Sequence, residues 1–475
     1  MKVTLLVDIG STNTKITAVD LERERILGRT HAPSTVSSDM TIGLKAAYQK
    51  LLDQIGEPSL TIEKALACSS AAGGLRMVAI GLVPVLTTEA ARMAALGAGA
   101  KLVGTYSYKL SRHELNAIQA ASPDIILLAG GTDGGNTEVI LHNAQVLADS
   151  DLSCPVIVCG NKVVADDAAM CLEAAGKTVN IVDNVLPELN RLNVEACRSI
   201  IREIFINRIV HGKGLDKAQE FLGTIAMPTP LAVMKAAQLM AQGTENEEGL
   251  GELMVVDIGG ATTDVVSIAE GAPTQANVVL KGLPEPYCKR TVEGDLGIRY
   301  NASNILKLVG EKKLKEHMRV GRDAHVGEAD VAAKVMYLTD HIESIPQTRE
   351  DLLIDIGLAR SAACIAVRRH AGSIEAIYSP MGSFSVQCGK DLTQVKMVVG
   401  TGGVVSYGMD PHSILEATRF GEECPTALCP RQPAFCIDKE YILYAVGLLS
   451  EIAPDKAMRI ARANIMAGAI GTVRI

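Results

Sequence analysis

The four residues Val-Asp-Ile-Gly occur twice in matched surroundings, as VDIGSTNTKITAVD at 7–20 and VDIGGATTDVVSIA at 256–269, an offset of 249 residues. Each copy reads as a strand, a glycine turn, a hydroxyl-rich tip and a second strand, with Thr14 in step with Thr263. A strand-turn-strand unit repeated about half a chain apart implies two related halves, each built around one copy. Glycine at such a turn lets backbone N–H groups approach an anion with no Cβ in the way. An aspartate at the strand end suits Mg2+, which keeps several waters and takes one or two carboxylates. The residue types therefore point to a phosphate. Gly10, Ser11, Thr12, Thr14, Gly259, Gly260, Thr262 and Thr263 are the expected phosphate binders, with Lys15 as a counter-charge. Asp8 and Asp257 are the expected holders of Mg2+, and Asp264, on the second strand, is a candidate base or a structural residue.

A third Asp-Ile-Gly, in LLIDIGLARSAAC at 352–364, lacks the hydroxyl-rich tip and runs into a helical pattern, so Asp355 is read as structural. Between the two true copies, strands alternate with helical segments, the pattern of parallel sheets covered by helices. DIILLAGGTDGG (124–135) and CPVIVCGN (154–161) are buried strands that end in glycine loops, where ligands of such sheets sit. KMVVGTGGVVSYG (396–408) repeats that form in the second half, and Gly400, Gly402 and Gly403 would let a nucleoside approach closely. Helices are expected over 41–55, 85–101, 111–121, 165–175, 193–211 and in the closing segments, and residues 300–350 read as charged and helical.

The chain has 475 residues, enough for two or three domains, with 48% hydrophobic and 21% charged residues. It carries 5 Phe, 10 Tyr and no Trp at a net charge of −8, which argues against base stacking and against a phosphate-backbone partner. No stretch has the length of a signal-peptide core or a membrane span, so a cytoplasmic protein without a membrane partner is expected. Most of the eleven cysteines lie in apolar contexts, as buried reduced thiols do, and the tightest group, Cys424, Cys429 and Cys436, fits no common zinc spacing. His370 reads as a helix-end charge, His113 and His211 as surface residues, and Met227, Met234 and Met240 as packing.

The order of first phosphate loop, connecting helix (MPTPLAVMKAAQ), second phosphate loop, nucleoside loop and second connecting helix (DKEYILYAVGLL) resembles the actin/Hsp70/sugar-kinase ATPase superfamily. Within it, LLVDIGSTNTKITAVD, ILLAGGTDGG, VIVCGN, NVLPELNRLNVEACRSIIREIF, MPTPLAVM, VVDIGGATTDVVS, VEGDLGIRYNA, RRHAG and VGTGGV resemble the accessory protein family of coenzyme-B12-dependent glutamate mutase, called MutL or GlmL (not the mismatch-repair protein). The resemblance implies an α/β, two-lobed actin-like fold, each lobe a mixed sheet flanked by helices. It implies a first lobe at 1–224 with an additional α/β segment around 124–190, a second at 225–451, and a C-terminal helix at 452–475 returning to the first. It implies ATP with Mg2+ between the lobes and an ATPase that acts on subunits of a B12-dependent mutase, helping damaged cobalamin leave so that fresh adenosylcobalamin can bind. The segment ALCPRQPAFC departs from the family pattern and leaves the mutase served open. A reactivator of another B12-dependent aminomutase, a small-molecule kinase of the same fold and an actin-type scaffold remain alternatives.

Overall fold

The computed structural model describes residues 2–10, 13–35, 40–70, 75–212, 224–319, 330–379 and 382–465. Ser11, Thr12 and the side chain of His211 fall outside them. The chain divides into two compact units, Met1–Lys235 with Gly282–Pro284 and Gly447–Ile452, and Ala236–Lys281 with Glu285–Val446 and Ala453–Ile475.

In the first unit, β1 (Lys2–Ile9), β2 (Asn13–Asp20) and β3 (Arg25–Pro33) form an antiparallel meander. Helix α1 (Met40–Ile55) carries the chain back, so β4 (Thr61–Ser69) pairs parallel with β1. The chain then builds a second sheet from β5 (Arg76–Gly81), α2 (Glu89–Gly97), β6 (Lys101–Ser107), α3 (Arg112–Ala121), β7 (Ile125–Leu128), α4 (Glu138–Ala148), β8 (Val156–Val158), α5 (Ala165–Ala174) and β9 (Val179–Ile181). All its pairings are parallel, in the order β6-β5-β7-β8-β9. Residues of one parity (Met77, Ala79, Ile125, Leu127, Ile157) pack with α2 and with α6 (Glu195–Gly212). Those of the other (Val78, Ile80, Ile126, Leu128, Val158) pack with α3, α4 and α5. Covering on both faces is why these strands are apolar throughout. After α6, β10 (Thr224–Pro228) joins the first sheet beside β4, and α7 (Thr229–Gln242) follows. The first sheet thus has the order β10-β4-β1-β2-β3.

The second unit repeats that plan. Strands β11 (Leu253–Ile258) and β12 (Thr263–Ile268) form a hairpin, and, after β13 (Val278–Lys281), β14 (Cys288–Glu293) extends it antiparallel. Helices α8 (Ala302–Met318), α9 (Val331–Asp340) and α10 (Arg349–His370) lead to β15 (Ser373–Ser379) and β16 (Gly382–Cys388), which pair with β13 in a small sheet of their own. Then β17 (Met397–Thr401) pairs parallel with β11, and, past α11 (Gly403–Ser406) and α12 (Pro411–Glu416), β18 (Ala434–Ile437) pairs parallel with β17. The order β14-β12-β11-β17-β18 matches the first sheet strand for strand. The fold is α/β, with a mixed sheet flanked by helices in each unit, as an actin-like duplication implies.

Among the described residues two further helices follow, α13 (Leu443–Leu449) and α14 (Pro454–Asn464). Gly447 in α13 lies so close to α7 that a Cβ there would stand 1.8 Å from the Ala232 carbonyl oxygen. Helix α14 groups with the second unit rather than the first, because Arg459 and Arg462 both pair with Glu247 and Asp455 accepts from Thr244 and Asn246. Met227, Met234 and Met240 are buried packing residues. Among the described residues no helix is long and apolar enough to cross a membrane.

Candidate functional site

The two Asp-Ile-Gly copies form the same hairpin. Asp8 lies opposite Lys15 and Ile9 opposite Thr14; Asp257 lies opposite Asp264 and Ile258 opposite Thr263. Each turn is closed alike, with Gly10 N–H donating to Asn13 O at 3.0 Å and Gly259 N–H to Thr262 O at 2.9 Å.

In the first hairpin Asp8 is buried, and its carboxylate is already engaged. It accepts from Lys15 Nζ at 3.0 Å, from Thr229 Oγ1 at 2.6 Å and from Cys68 Sγ at 3.7 Å. Burial, then the negative field of Asp8, pushes the Cys68 thiol far above its ordinary range, so it stays protonated. Thr14 turns inward, with its hydroxyl buried and without a partner among the described residues.

In the second hairpin the tip is more open. Asp257, Gly259 and Gly260 are part-exposed. The turn at Gly294–Tyr300 takes up the tip carbonyls: Ile298 N–H donates to Gly259 O, the Arg299 and Tyr300 N–H groups to Gly260 O, and Asn301 Nδ2 to Ala261 O. Gly297 makes this approach possible, since a Cβ there would stand 2.3 Å from the Ala261 carbonyl carbon. With its carbonyls bound on one side, the tip leaves the N–H groups of Gly260 and Ala261 with no acceptor among the described residues. Adjacent free amides at a glycine turn are an anion-binding concavity.

The other candidates are placed less freely. Thr263 is buried and donates to Leu296 O at 2.8 Å. Thr262 Oγ1 donates to Asp264 Oδ2 at 3.0 Å, and Arg290 grips Asp264 Oδ1 at 2.6 and 3.0 Å. That ion pair is mostly buried, which suits a brace between β12 and β14 better than a base that exchanges protons. At the end of β17, Gly400 is buried against Leu415 and Val405. Gly402, at φ +96°, backs onto β11 so closely that a Cβ would lie 2.3 Å from Ile258 O. Only Gly403 of the three faces open space.

Asp355, of the third copy, sits inside α10 and takes a bidentate grip from Arg299 at 2.7 Å on each oxygen. His370 is corrected from helix-end charge to core residue: it is fully buried, between Thr291 Oγ1 at 2.9 Å and Ser267 Oγ at 2.8 Å. His113 is exposed. Cys436 lies in β18 against the Met397 sulfur at 3.7 Å, apart from any cluster, and burial raises the Cys429 thiol to about 12 and that of Cys436 to about 11. Among the described residues no group of three His, Cys, Asp or Glu side chains is placed to hold a metal ion. Sequence reasoning missed Thr229 and Arg290, whose contacts reach 221 and 26 residues along the chain to Asp8 and Asp264. Thr229 does carry a signal, standing where a strand gives way to a helix after Pro228.

A family model described as MutL protein matches residues 4–465. The chain belongs to the MutL protein family. One relative, Protein MutL of Clostridium tetanomorphum, is 49% identical over 456 residues, covering 96% of this chain and 97% of the relative. Among solved structures, the activator of the 2-hydroxyisocaproyl-CoA dehydratase from Clostridium difficile with bound ADPNP is 11% identical, covers 100% of both chains and has a TM-score of 0.30. A glycerol dehydratase reactivase is 11% identical, covers 94% of this chain and 99% of its own, and has a TM-score of 0.32. Scores this low add nothing to the reading of the site, which rests on the MutL family and on the hairpins.

Proposed function

We propose that this MutL-family chain is an ATP-binding and ATP-hydrolysing accessory protein that reactivates an adenosylcobalamin-dependent mutase, glutamate mutase first among them. The observation that carries the nucleotide half is the tip of the second hairpin, where the free amides of Gly260 and Ala261 stand three and four residues past Asp257. Phosphate oxygens satisfy such amides, and transfer to water then needs positioning and charge neutralisation more than covalent chemistry.

Mg2+ fits this hairpin better than the first. Asp257 is part-exposed beside the open tip, whereas Asp8 is buried. In the proposed site Asp257 would hold the ion, which would supply charge neutralisation for the phosphates. Lys15, held against Asp8, is the cation of the first hairpin. Thr262 keeps its tip rigid through Asp264, and Gly403 leaves room for the nucleoside. Family membership supports the partner half, action on a B12 mutase in the cytoplasm.

Reactivation is the test. A glutamate mutase inactivated with a damaged or non-adenosyl cobalamin is incubated with the protein, Mg2+ and adenosylcobalamin, with ATP, with a non-hydrolysable analogue or with no nucleotide. Recovery of mutase turnover with ATP alone is expected. Equal recovery without nucleotide, or none under any condition, contradicts the proposal.

A further inference from the structure

We infer that Arg299 and Asp355 are positioning residues that set the shape of the second hairpin's tip, an inference that rests on that tip being the phosphate site. Asp355 is an odd residue for its place. It lies within α10 between Ile354 and Ile356, both in the core of the second unit, and is itself only 7% exposed. Burying a carboxylate there is costly unless it is paired and hydrogen-bonded. Its partner Arg299 supplies a two-pronged grip, yet burial still holds the Asp355 carboxyl above its usual range. A buried ion pair of this kind is by itself weak evidence for stability.

What the pair does explain is the turn that holds the tip. The Arg299 backbone N–H donates to Gly260 O at 2.9 Å, between the Ile298 bond to Gly259 O and the second bond to Gly260 O from Tyr300. Its side chain is fixed at three further points, the Asp355 carboxylate, Ser344 O at 3.3 Å and Ile298 O at 3.1 Å. The segment 294–300 belongs to no strand or helix of its own. Arg299 thus transmits the fixed position of α10 to the carbonyls of Gly259 and Gly260. Those bonds orient the peptide groups of the tip, which is what leaves the Gly260 and Ala261 amides facing outward. A planar guanidinium does this where an ammonium does not, because two parallel bonds fix direction as well as distance.

The experiment compares Asp355→Asn, Arg299→Lys and Asp257→Ala with Glu247→Gln as a control, since Glu247 serves only α14 and its own loop. Steady-state ATP hydrolysis and thermal melting are measured for each. Asp355→Asn and Arg299→Lys are expected to raise the KM for Mg·ATP about tenfold or more, while Glu247→Gln lowers the melting temperature and leaves KM unchanged. Should Asp355→Asn fail to fold, Arg299→Lys, which keeps a cation facing the carboxylate, decides. KM within twofold of the parent in the folded variants, with Asp257→Ala inactive, overturns the inference alone. Full turnover in Asp257→Ala overturns the phosphate site itself.

Discussion

Asp8 takes its character from one residue inside its motif and from another far outside it. Thr229 gives it a hydrogen bond of 2.6 Å and Lys15 an ion pair of 3.0 Å. Thr229→Val removes the hydroxyl at nearly constant volume and leaves a buried carboxylate oxygen short of a donor. A loss of about 1–3 kcal/mol in urea unfolding is expected. The sequence shows Asp8, Lys15 and the glycine turn because all are local. Thr229 stays hidden because the contact closes only when β10 docks beside β4. The inward turn of Thr14 and Thr263 follows from strand alternation: each pairs with an isoleucine of the core, so hydroxyl chemistry alone misjudges them. His370 is misjudged for a related reason, since the C-terminal end of α10 closes in the core beside β12 and β14, not in solvent.

Among elements, the long strands and helices flanking the repeat are legible because their periodicity is strong. Two things are not. The segment 85–101 reads as one helix, yet it divides into a π-helical turn at Pro84–Thr88, α2 and the approach to β6, because Gly99, at φ +87°, turns the chain out of the helix. The small sheet of β13, β15 and β16 has no continuous apolar run to announce it. The third Asp-Ile-Gly, set apart in the sequence by its helical pattern, is helical because Thr348 and Asp351 form a capping box that starts α10 upstream of it. The packing of α8 against α10 carries a pH signature. His317 of α8 contacts Ser361 Oγ at 2.9 Å, and burial, aided by the charges of Arg360 and Lys313, lowers its pKa to about 4. The unfolded chain takes up that proton near its ordinary value of 6.5 while the native state refuses it. The contribution of His317 is therefore intact above 6.5 and is lost as pH drops toward 4, by about 1–2 kcal/mol after solvent screening. Urea midpoints across pH 4–7 are expected to slope less in His317→Gln than in the parent; equal slopes place the effect elsewhere.

At the scale of the whole molecule, one plan is used twice. Two sheets of identical order each present an Asp-Ile-Gly hairpin from the first strand, so the duplication seen at 7–20 and 256–269 extends to the strands around it. The copies have diverged at the residue opposite the aspartate, Lys15 in one and Asp264 in the other. The first hairpin therefore carries a cation beside a buried carboxylate, and the second an open tip with free amides and a part-exposed Asp257. The second hairpin therefore offers the phosphate site that the proposed ATP hydrolysis requires. The central claim is that Asp257 and its tip hold the phosphates of ATP. Phosphate release from Mg·ATP by the parent protein and by Asp257→Ala measures it directly. The account predicts hydrolysis in the parent and a loss of a hundredfold or more in the variant; unchanged hydrolysis in a folded Asp257→Ala, or no nucleotide binding by the parent, contradicts it.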